Sequence, residues 1–345
     1  MTLCGVQAGA FESAVDPLEL LHKSAMAGHD LSYSGTQFVA IYGEPETLTI
    51  VADIAHTTGK GSILKIHAAP GIPARTVFEP DSSSDPWSAL GSGLGGASYG
   101  STALQLLGSH YSATMAGAAT VAGRKATIVE LKRVSGETAA RFWIDTATAL
   151  PLRREVYDLK GQLTRVSAYL DFALKPAIVR PRLVVKTTLA PAPAGQLLTG
   201  PELDAARASG WVLPDILGTL QLVEIRRGSA TLVPGVVDDQ SAVMHLVYSD
   251  GLSTVSVFQQ LGRLTTPSGW VQESIGSHKV WVNTGIPTAV SWSAKGRVYT
   301  VVAEGPPAQL QALIEGLPHA THHGGVLHRL HRGIDRVGSW LNPFA

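Results

Sequence analysis

Residues 139–172 constrain the fold of this chain more than any other stretch. Within them, three runs are rich in the aromatic and β-branched residues that favour strands, namely 141–144, 152–157 and 163–172. Short turn signals separate the runs, and the second signal contains Gly161, which adopts a positive φ at no steric cost. The pattern predicts an antiparallel meander of three strands. Because such a sheet must bury one face, we expect this stretch to form a wall around an interior.

The composition predicts more strand than helix and excludes several kinds of site. Glycine (36) and proline (20) are frequent and long helical periodicity is scarce, so the predicted fold class is α+β with mostly antiparallel β-structure. The 27 basic and 27 acidic residues balance, which predicts no nucleic-acid partner. Cys4 is the single cysteine, so neither an internal disulfide nor a cysteine-based zinc site can form.

The length and one proline-rich segment predict two domains. A chain of 345 residues exceeds the usual size of one domain. Residues 176–198 contain several prolines and form the predicted linker. The predicted first domain is 14–175, the second is 199–318, and residues 319–345 form a basic amphipathic tail.

Local signals place a helix before the first strands and a tight hairpin in the second domain. Asp16 is a suitable N-cap and Pro17 suits the first helical turn. Gly28 is expected to end this helix. Asp250 and Gly251 together form a hairpin turn signal.

Two segments each leave two interpretations open. Residues 81–100 are rich in glycine and serine and form either a loop that covers an opening or an ordinary surface loop. The tail carries an apolar stripe beside basic residues, so it either packs on its own domain or contacts an anionic membrane or a partner. His328 and His331 share a helical face there, but the sequence supports a metal site only weakly, and we expect neither a metal nor a cofactor.

The sequence shows no convincing catalytic constellation. A nucleophilic serine needs a base and an orienting acid, and the acidic residues of 139–172 lie at turns and on strands where solvation explains them. We therefore expect that the protein is not an enzyme. The sequence contains no run of about 18 apolar residues, so it predicts no membrane-spanning helix. No signal peptide is recognisable in it either.

Arg153 and Arg154 are the strongest polar feature inside a predicted strand. Adjacent strand residues point to opposite faces, so we expect one arginine to meet solvent or a partner and the other to point inward. The alternative is an ordinary edge strand in which both aliphatic stems pack along apolar neighbours.

Motifs in both halves of the chain resemble the MucB/RseB regulators, which belong to the wider LolA/LolB lipoprotein-carrier-like group. The motifs similar to the family's N-terminal domain are 33–36 (YSGT), 121–126 (VAGRKA), 142–145 (FWID) and 150–155 (LPLRRE). Those similar to its small C-terminal domain are 246–252 (LVYSDGL), 255–257 (VSV) and 299–307 (YTVVAEGPP). The resemblance covers roughly residues 14–318.

The resemblance implies a fold and a function. The larger domain is expected to be an unclosed, LolA-like β-barrel wrapped round a helix, with an apolar hollow for lipid or lipoprotein acyl chains. The smaller domain is expected to be an antiparallel sheet with a helix. The implied function is envelope-stress regulation through a transmembrane anti-sigma factor, with the protein located in the cell envelope. The alternative is a periplasmic or cell-envelope carrier of lipid or lipoprotein.

Strand position predicts which side chains serve these functions. The residues expected to line or close the hollow are Phe38, Ile50, Ile66, Trp143, Tyr157 and Tyr169. Arg153 and Arg154 are the candidate partner-binding residues.

Overall fold

The computed structural model describes most of the predicted domains. The described residues are 15–42, 47–70, 74–79, 100–174, 195–228, 236–237, 242–283, 288–303 and 310–319. Cys4, the 81–99 part of the predicted loop, most of the predicted linker and the tail beyond His319 lie outside them. Among the described residues, no helix is both long and apolar enough to cross a membrane.

The first half of the chain forms one nine-stranded sheet. Its strands are β1 (Tyr33–Ile41), β2 (Leu48–Thr57), β3 (Gly61–Ile66), β4 (Arg75–Glu79), β5 (Tyr111–Val121), β6 (Arg124–Arg133), β7 (Thr138–Asp145), β8 (Pro151–Tyr157) and β9 (Leu163–Leu174). Their order is β4-β3-β2-β1-β9-β8-β7-β6-β5, and every neighbouring pair is antiparallel. In the described residues β4 and β5 end the sheet without pairing to each other, so the barrel is unclosed.

The predicted meander is confirmed as β7, β8 and β9. The three strands are neighbours in the sheet, and each is somewhat longer than predicted. Gly161 has a φ of 73°, in the turn between β8 and β9, as its position predicts. The meander lies between β1 and β6, so neither of its outer strands is a sheet edge.

Two helices pack on this sheet. Helix α1 (Pro17–Asp30) begins at the predicted cap, where an Asp16 carboxylate oxygen accepts a hydrogen bond from the Leu18 amide at 3.2 Å. The prediction that Gly28 ends α1 is wrong: Gly28 is buried inside the last turn, and the chain becomes extended only at Leu31. Helix α2 (Gly100–His110) contacts α1, and both helices contact β5.

The second half of the chain forms a separate antiparallel sheet. Its elements are β10 (Gln196–Leu197), α3 (Pro201–Ala208), β11 (Ile216–Leu217), β12 (Leu220–Gly228), β13 (Val236–Val237), β14 (Val243–Ser249), β15 (Thr254–Leu261), β16 (Arg263–Leu264), β17 (Val271–Ile275), β18 (His278–Asn283), β19 (Thr288–Ala294), β20 (Arg297–Ala303) and α4 (Gln311–Glu315). The order is β10-β12-β14-β15-β20-β19-β18-β17, with β11 on β12 and a separate β13-β16 pair. Apolar side chains of the sheet pack with Trp211 and with Ile314 of α4. The mostly antiparallel α+β fold class is confirmed.

Candidate functional site

Residue pairing divides the first sheet into two faces. Phe142, Arg154, Ser167, Val39 and Ile50 are partners in one row across five strands, and all five are buried. Because side chains alternate along a strand, the adjacent rows point the other way. We call the face that carries this buried row the inner face and the opposite one the outer face.

The inner face holds an apolar cluster that includes three of the predicted hollow residues. Ile50, Ile66 and Tyr169 are each 3% exposed and belong to one buried cluster. The Tyr169 ring packs edge-on against Phe172, with ring centroids 5.1 Å apart, and against Tyr33 at 6.4 Å. The alternation of side chains along each strand therefore places these three residues together on the inner face.

Gln37 is a polar exception within this apolar region. It pairs across the sheet with Tyr169 on one side and Ala52 on the other, so it lies in the inner-face row next to that of Val39. The residue is 0% exposed, and neither of its amide atoms has a hydrogen-bond partner among the described residues. A buried amide without partners is costly and uncommon in proteins. The inner face thus offers both a donor and an acceptor to a bound molecule or to ordered water.

The other three predicted hollow residues lie on the outer face. Trp143, Arg153, Ala168 and Phe38 form the row next to the buried one, and all four are partly exposed. The guanidinium of Arg153 covers the Trp143 ring, 4.9 Å from its centroid. By pairing, Phe38 and Trp143 lie in a different row from Ile50, yet Trp143 also packs against the apolar cluster that contains Ile50.

Tyr157 belongs to a polar network on the same outer face. Its hydroxyl donates a hydrogen bond to Glu155, and the guanidinium of Arg141 lies 5.7 Å from its ring centroid. Burial and the neighbouring Glu155 carboxylate raise the pKa of Tyr157 to about 12. The hydroxyl accordingly stays a hydrogen-bond donor at neutral pH.

Cations of this network are more exposed than its carboxylates. Arg141 pairs with Glu130 at 2.8 Å and Arg153 pairs with Glu155, while Lys132 lies 3.4 Å from Glu130. The arginine and lysine side chains are about 40% exposed, whereas the carboxylate side chains are about 10% exposed. Burial opposes ionisation of Glu130, but hydrogen bonds from Arg141 and Thr138 outweigh it and hold its pKa below the usual range. The outer face therefore presents positive charge to solvent.

Arg153 and Arg154 occupy opposite faces, in agreement with strand alternation. Arg153 is on the outer face, whereas Arg154 is on the inner face and only 5% exposed. The edge-strand alternative does not apply, because β8 lies between β7 and β9. The guanidinium of Arg154 lies 5.5 Å from the Phe142 ring centroid, and its Nη2 donates to the Leu252 carbonyl oxygen at 2.7 Å.

The contact with Leu252 joins the two sheets. Leu252 follows β14 in the second half of the chain, yet it is 2% exposed and packs in one apolar cluster with Leu21, Leu107 and Phe142. The Tyr111 hydroxyl at the start of β5 donates to Asp250 Oδ2 at 2.6 Å. The sequence predicted a hairpin at Asp250, but nothing in it indicated what the hairpin would touch.

Two of the family-like motifs meet through an ion pair. Arg124 donates from Nε and Nη2 to the two carboxylate oxygens of Asp145 at 3.0 and 2.7 Å. Burial would raise the pKa of Asp145, but hydrogen bonds from Arg124 and Thr148 outweigh it, so the pKa is lowered. This pair fastens the β5–β6 turn to the end of β7, which is a structural role.

A cleft of about 150 Å³ lies on the second sheet. Its walls are Leu264, Ser277, His278, Lys279, Trp281, Trp292, Ser293 and His319. The rings of His278 and His319 have centroids 4.0 Å apart. No group of three or more histidine, cysteine or acidic side chains suited to a metal occurs in the described part of the chain.

The first half of the chain matches a protein-family model. Residues 97–187 match the model described as the MucB/RseB N-terminal domain. The MucB/RseB match includes all of β5 to β9, and with them the meander, so the resemblance noted in the sequence is confirmed there. A comparison with curated proteins found no match.

Solved structures with a similar chain course include MucB proteins. The crystal structure of MucB in complex with MucA(peri) has a TM-score of 0.47 and 19% identity, covering 89% of this chain and 100% of that chain. The Pseudomonas aeruginosa MucA/MucB complex has a TM-score of 0.46 and 18% identity, covering 88% and 99%. A LolA superfamily protein from Nitrosomonas europaea has a TM-score of 0.23 and 12% identity, covering 48% and 96%. At these values the likeness carries no argument about function.

Proposed function

We propose that this protein is a cell-envelope regulator that binds the extracytoplasmic part of a membrane-anchored anti-sigma factor. The observation that carries the proposal is the MucB/RseB N-terminal domain match over residues 97–187. MucB itself has been crystallised with MucA(peri), and the proposal extends that kind of partnership to this chain. Binding of this kind needs a complementary surface and no catalytic group.

The outer face supplies a surface of suitable chemistry. The side chains of Arg141 and Arg153 are about 40% exposed, while the carboxylate side chains that they contact are about 10% exposed. Trp143 and Phe38 add partly exposed apolar area in the row that contains Arg153. Arginine and aromatic residues are enriched at the energetic centres of protein interfaces. We therefore propose that an acidic segment of the anti-sigma factor docks across β7 and β8 on the outer face, with Arg153 as its main contact.

The inner face supports the finer proposal that the protein senses a lipid. Ile50, Ile66 and Tyr169 belong to the apolar cluster behind the sheet, and Gln37 places an unpartnered amide beside it. Each acyl CH₂ group buried there would contribute about 0.8 kcal/mol. The same feature favours a second candidate function, a carrier of lipid or lipoprotein acyl chains, which would need no anti-sigma partner.

Replacement of Arg153 tests the proposed docking surface. The ligand is the purified extracytoplasmic segment of the anti-sigma factor from the same organism, and biolayer interferometry measures the dissociation constant. We expect Arg153→Ala to raise that constant about tenfold, since loss of a central arginine contact typically costs more than 1 kcal/mol. Lys65→Ala is the matched control, because Lys65 is an exposed cation on the outer face at β3, away from β7 and β8.

The result separates the two candidate functions. If the Arg153 and Lys65 variants bind the segment equally well, the docking surface does not include Arg153. Absence of any binding by the wild-type chain, together with retention of an added fatty acid, would favour the carrier function instead.

A further inference from the structure

Three cations of the outer face lie on a diagonal across three neighbouring strands. Arg153 is on β8, Arg141 is on β7 and Lys132 is on β6. Each step along the diagonal also moves two residues towards the β6–β7 turn, because Arg153 pairs with Trp143 and Arg141 pairs with Glu130. With strands about 4.8 Å apart and a rise of about 3.4 Å per residue, successive Cα atoms on the diagonal are about 8 Å apart. We call these three residues the cation diagonal.

The carboxylates beneath the cation diagonal hold the cations without using all their donors. Arg141 contacts one oxygen of Glu130 through Nε and Nη2, and Arg153 contacts one oxygen of Glu155 through the same two nitrogens. A guanidinium carries five N–H donors, so several remain for another acceptor. Lys132 Nζ lies 3.4 Å from Glu130. Three cations beside two carboxylates leave a net charge of +1, with the cations as the more exposed groups.

Aromatic rings restrict the two arginines further. The guanidinium of Arg153 lies 4.9 Å from the centroid of the Trp143 ring, and that of Arg141 lies 5.7 Å from the centroid of the Tyr157 ring. A side chain held by a ring and a carboxylate loses little additional freedom when a partner binds, so the entropy cost of binding is reduced. The cation diagonal therefore presents positive charge at a spacing that is set before binding.

We propose that the cation diagonal binds an extended peptide segment that carries acidic residues at three alternate positions, i, i+2 and i+4. In an extended chain these side chains point to one side and repeat about every 6.8 Å. The long side chains of lysine and arginine span the remaining distance of about 1 to 2 Å at each step. The inference rests on the proposed docking of an anti-sigma segment on the outer face, and it specifies the acidic pattern that this segment carries.

A helical segment would fit the cation diagonal less well than an extended one. Residues i and i+4 of a helix repeat only about every 6 Å along the axis, and each step turns the side chain about 40° further round the helix. The third acidic side chain would therefore point away from the sheet. An extended segment keeps all three on the side that faces the cations.

Two synthetic peptides test the spacing directly. Both contain three aspartates among serines and threonines and carry a fluorescein label, but the aspartates are alternate in one peptide and consecutive in the other. Composition and net charge are thus equal. Fluorescence anisotropy at low salt measures the dissociation constant of each peptide for the full-length chain. We expect the alternate peptide to bind about threefold more tightly, because only two of three consecutive aspartates point towards the cations.

Variants at either end of the cation diagonal should abolish this preference. Lys132→Ala leaves two cations, which both peptides can pair equally well, so we expect the two dissociation constants to become the same. Arg153→Ala should have the same effect from the other end. Lys65→Ala removes an exposed cation on β3, away from the cation diagonal, and should keep the wild-type preference.

The acidic pattern can fail independently of anti-sigma binding. Equal binding of both peptides by the wild type, no binding of either, or a preference that persists in Lys132→Ala would each overturn the pattern. If the natural anti-sigma segment still binds and depends on Arg153, the docking surface stands and only the spacing is wrong. If the peptides show the expected preference but the natural segment does not bind, the spacing stands and the anti-sigma function is wrong.

Discussion

Gly35 lies on β1 where the backbone of β9 is close. A Cβ atom at this position would stand 2.4 Å from the Asp171 carbonyl oxygen and 3.0 Å from a Tyr169 ring carbon. Because the first of these atoms belongs to the backbone, it cannot move aside without disturbing the β1–β9 pairing next to the bulge at Thr36. We expect Gly35→Ala to lower the free energy of unfolding by about 1 to 3 kcal/mol, the usual cost of overpacking. Urea denaturation measures this change.

Gly28 provides a matched control for the replacement of Gly35. A Cβ atom there would meet nothing within 4 Å, and the residue is inside α1. Alanine is favoured over glycine in a helix by about 1 kcal/mol, so Gly28→Ala should stabilise the chain or leave it unchanged. Equal destabilisation by the two replacements would contradict the close approach at Gly35.

At the scale of elements, β14 and β15 bury a histidine between them. His245 is 3% exposed, its ring stacks on Phe258 with centroids 4.3 Å apart, and its Nε2 lies 3.0 Å from Ser256 Oγ. Burial lowers the pKa of His245 to about 4. The unfolded chain, in which this pKa is about 6.5, therefore binds the proton more readily than the folded chain between these values.

Stability should consequently fall as the pH decreases from about 6.5 towards 4. The full effect of this one residue is about 3 kcal/mol, since each pKa unit corresponds to about 1.4 kcal/mol. Urea denaturation at several pH values should show a steeper dependence for the wild type than for His245→Gln. If the free energy of unfolding depends on pH in the same way in wild type and His245→Gln, His245 is not the cause of the loss of stability at low pH.

The sequence predicted the elements better than the faces of the strands. Strand positions in 139–172 followed from residue type, and they are confirmed. Phe38 was expected beside Ile50, yet it lies in the outer-face row, because an aromatic residue in a strand signals burial without specifying a side. Trp143 pairs in the same row as Phe38 and still packs against the apolar cluster that contains Ile50. Arg153 covers the Trp143 ring on that outer face, and this contact joins β7 to β8, so no local pattern within a single strand indicates it.

At the scale of the whole molecule, the sequence predicted two successive sheet-forming halves but not the contact between them. Asp250 and Gly251 are a recognisable hairpin signal, and the hairpin forms. Its contact with Tyr111 and Arg154 spans about 100 to 140 positions along the chain. Such a contact depends on how two folded sheets meet, which hydrophobic periodicity within either half does not encode.

This contact should couple the unfolding of the two halves. Burial of Leu252 is worth about 1.5 to 3 kcal/mol, and the hydrogen bonds from Arg154 and Tyr111 to the turn add to it. Leu252→Asp places a charge in the apolar cluster, so we expect differential scanning calorimetry to show two separate transitions, one of them at a lower temperature than in the wild type. Leu261→Asp alters an exposed leucine of the same sheet and should retain the wild-type profile. Of the two leucines, Leu252 lies inside the apolar cluster that it shares with the first half and Leu261 does not. Identical profiles for the two variants would therefore mean that other contacts hold the halves together.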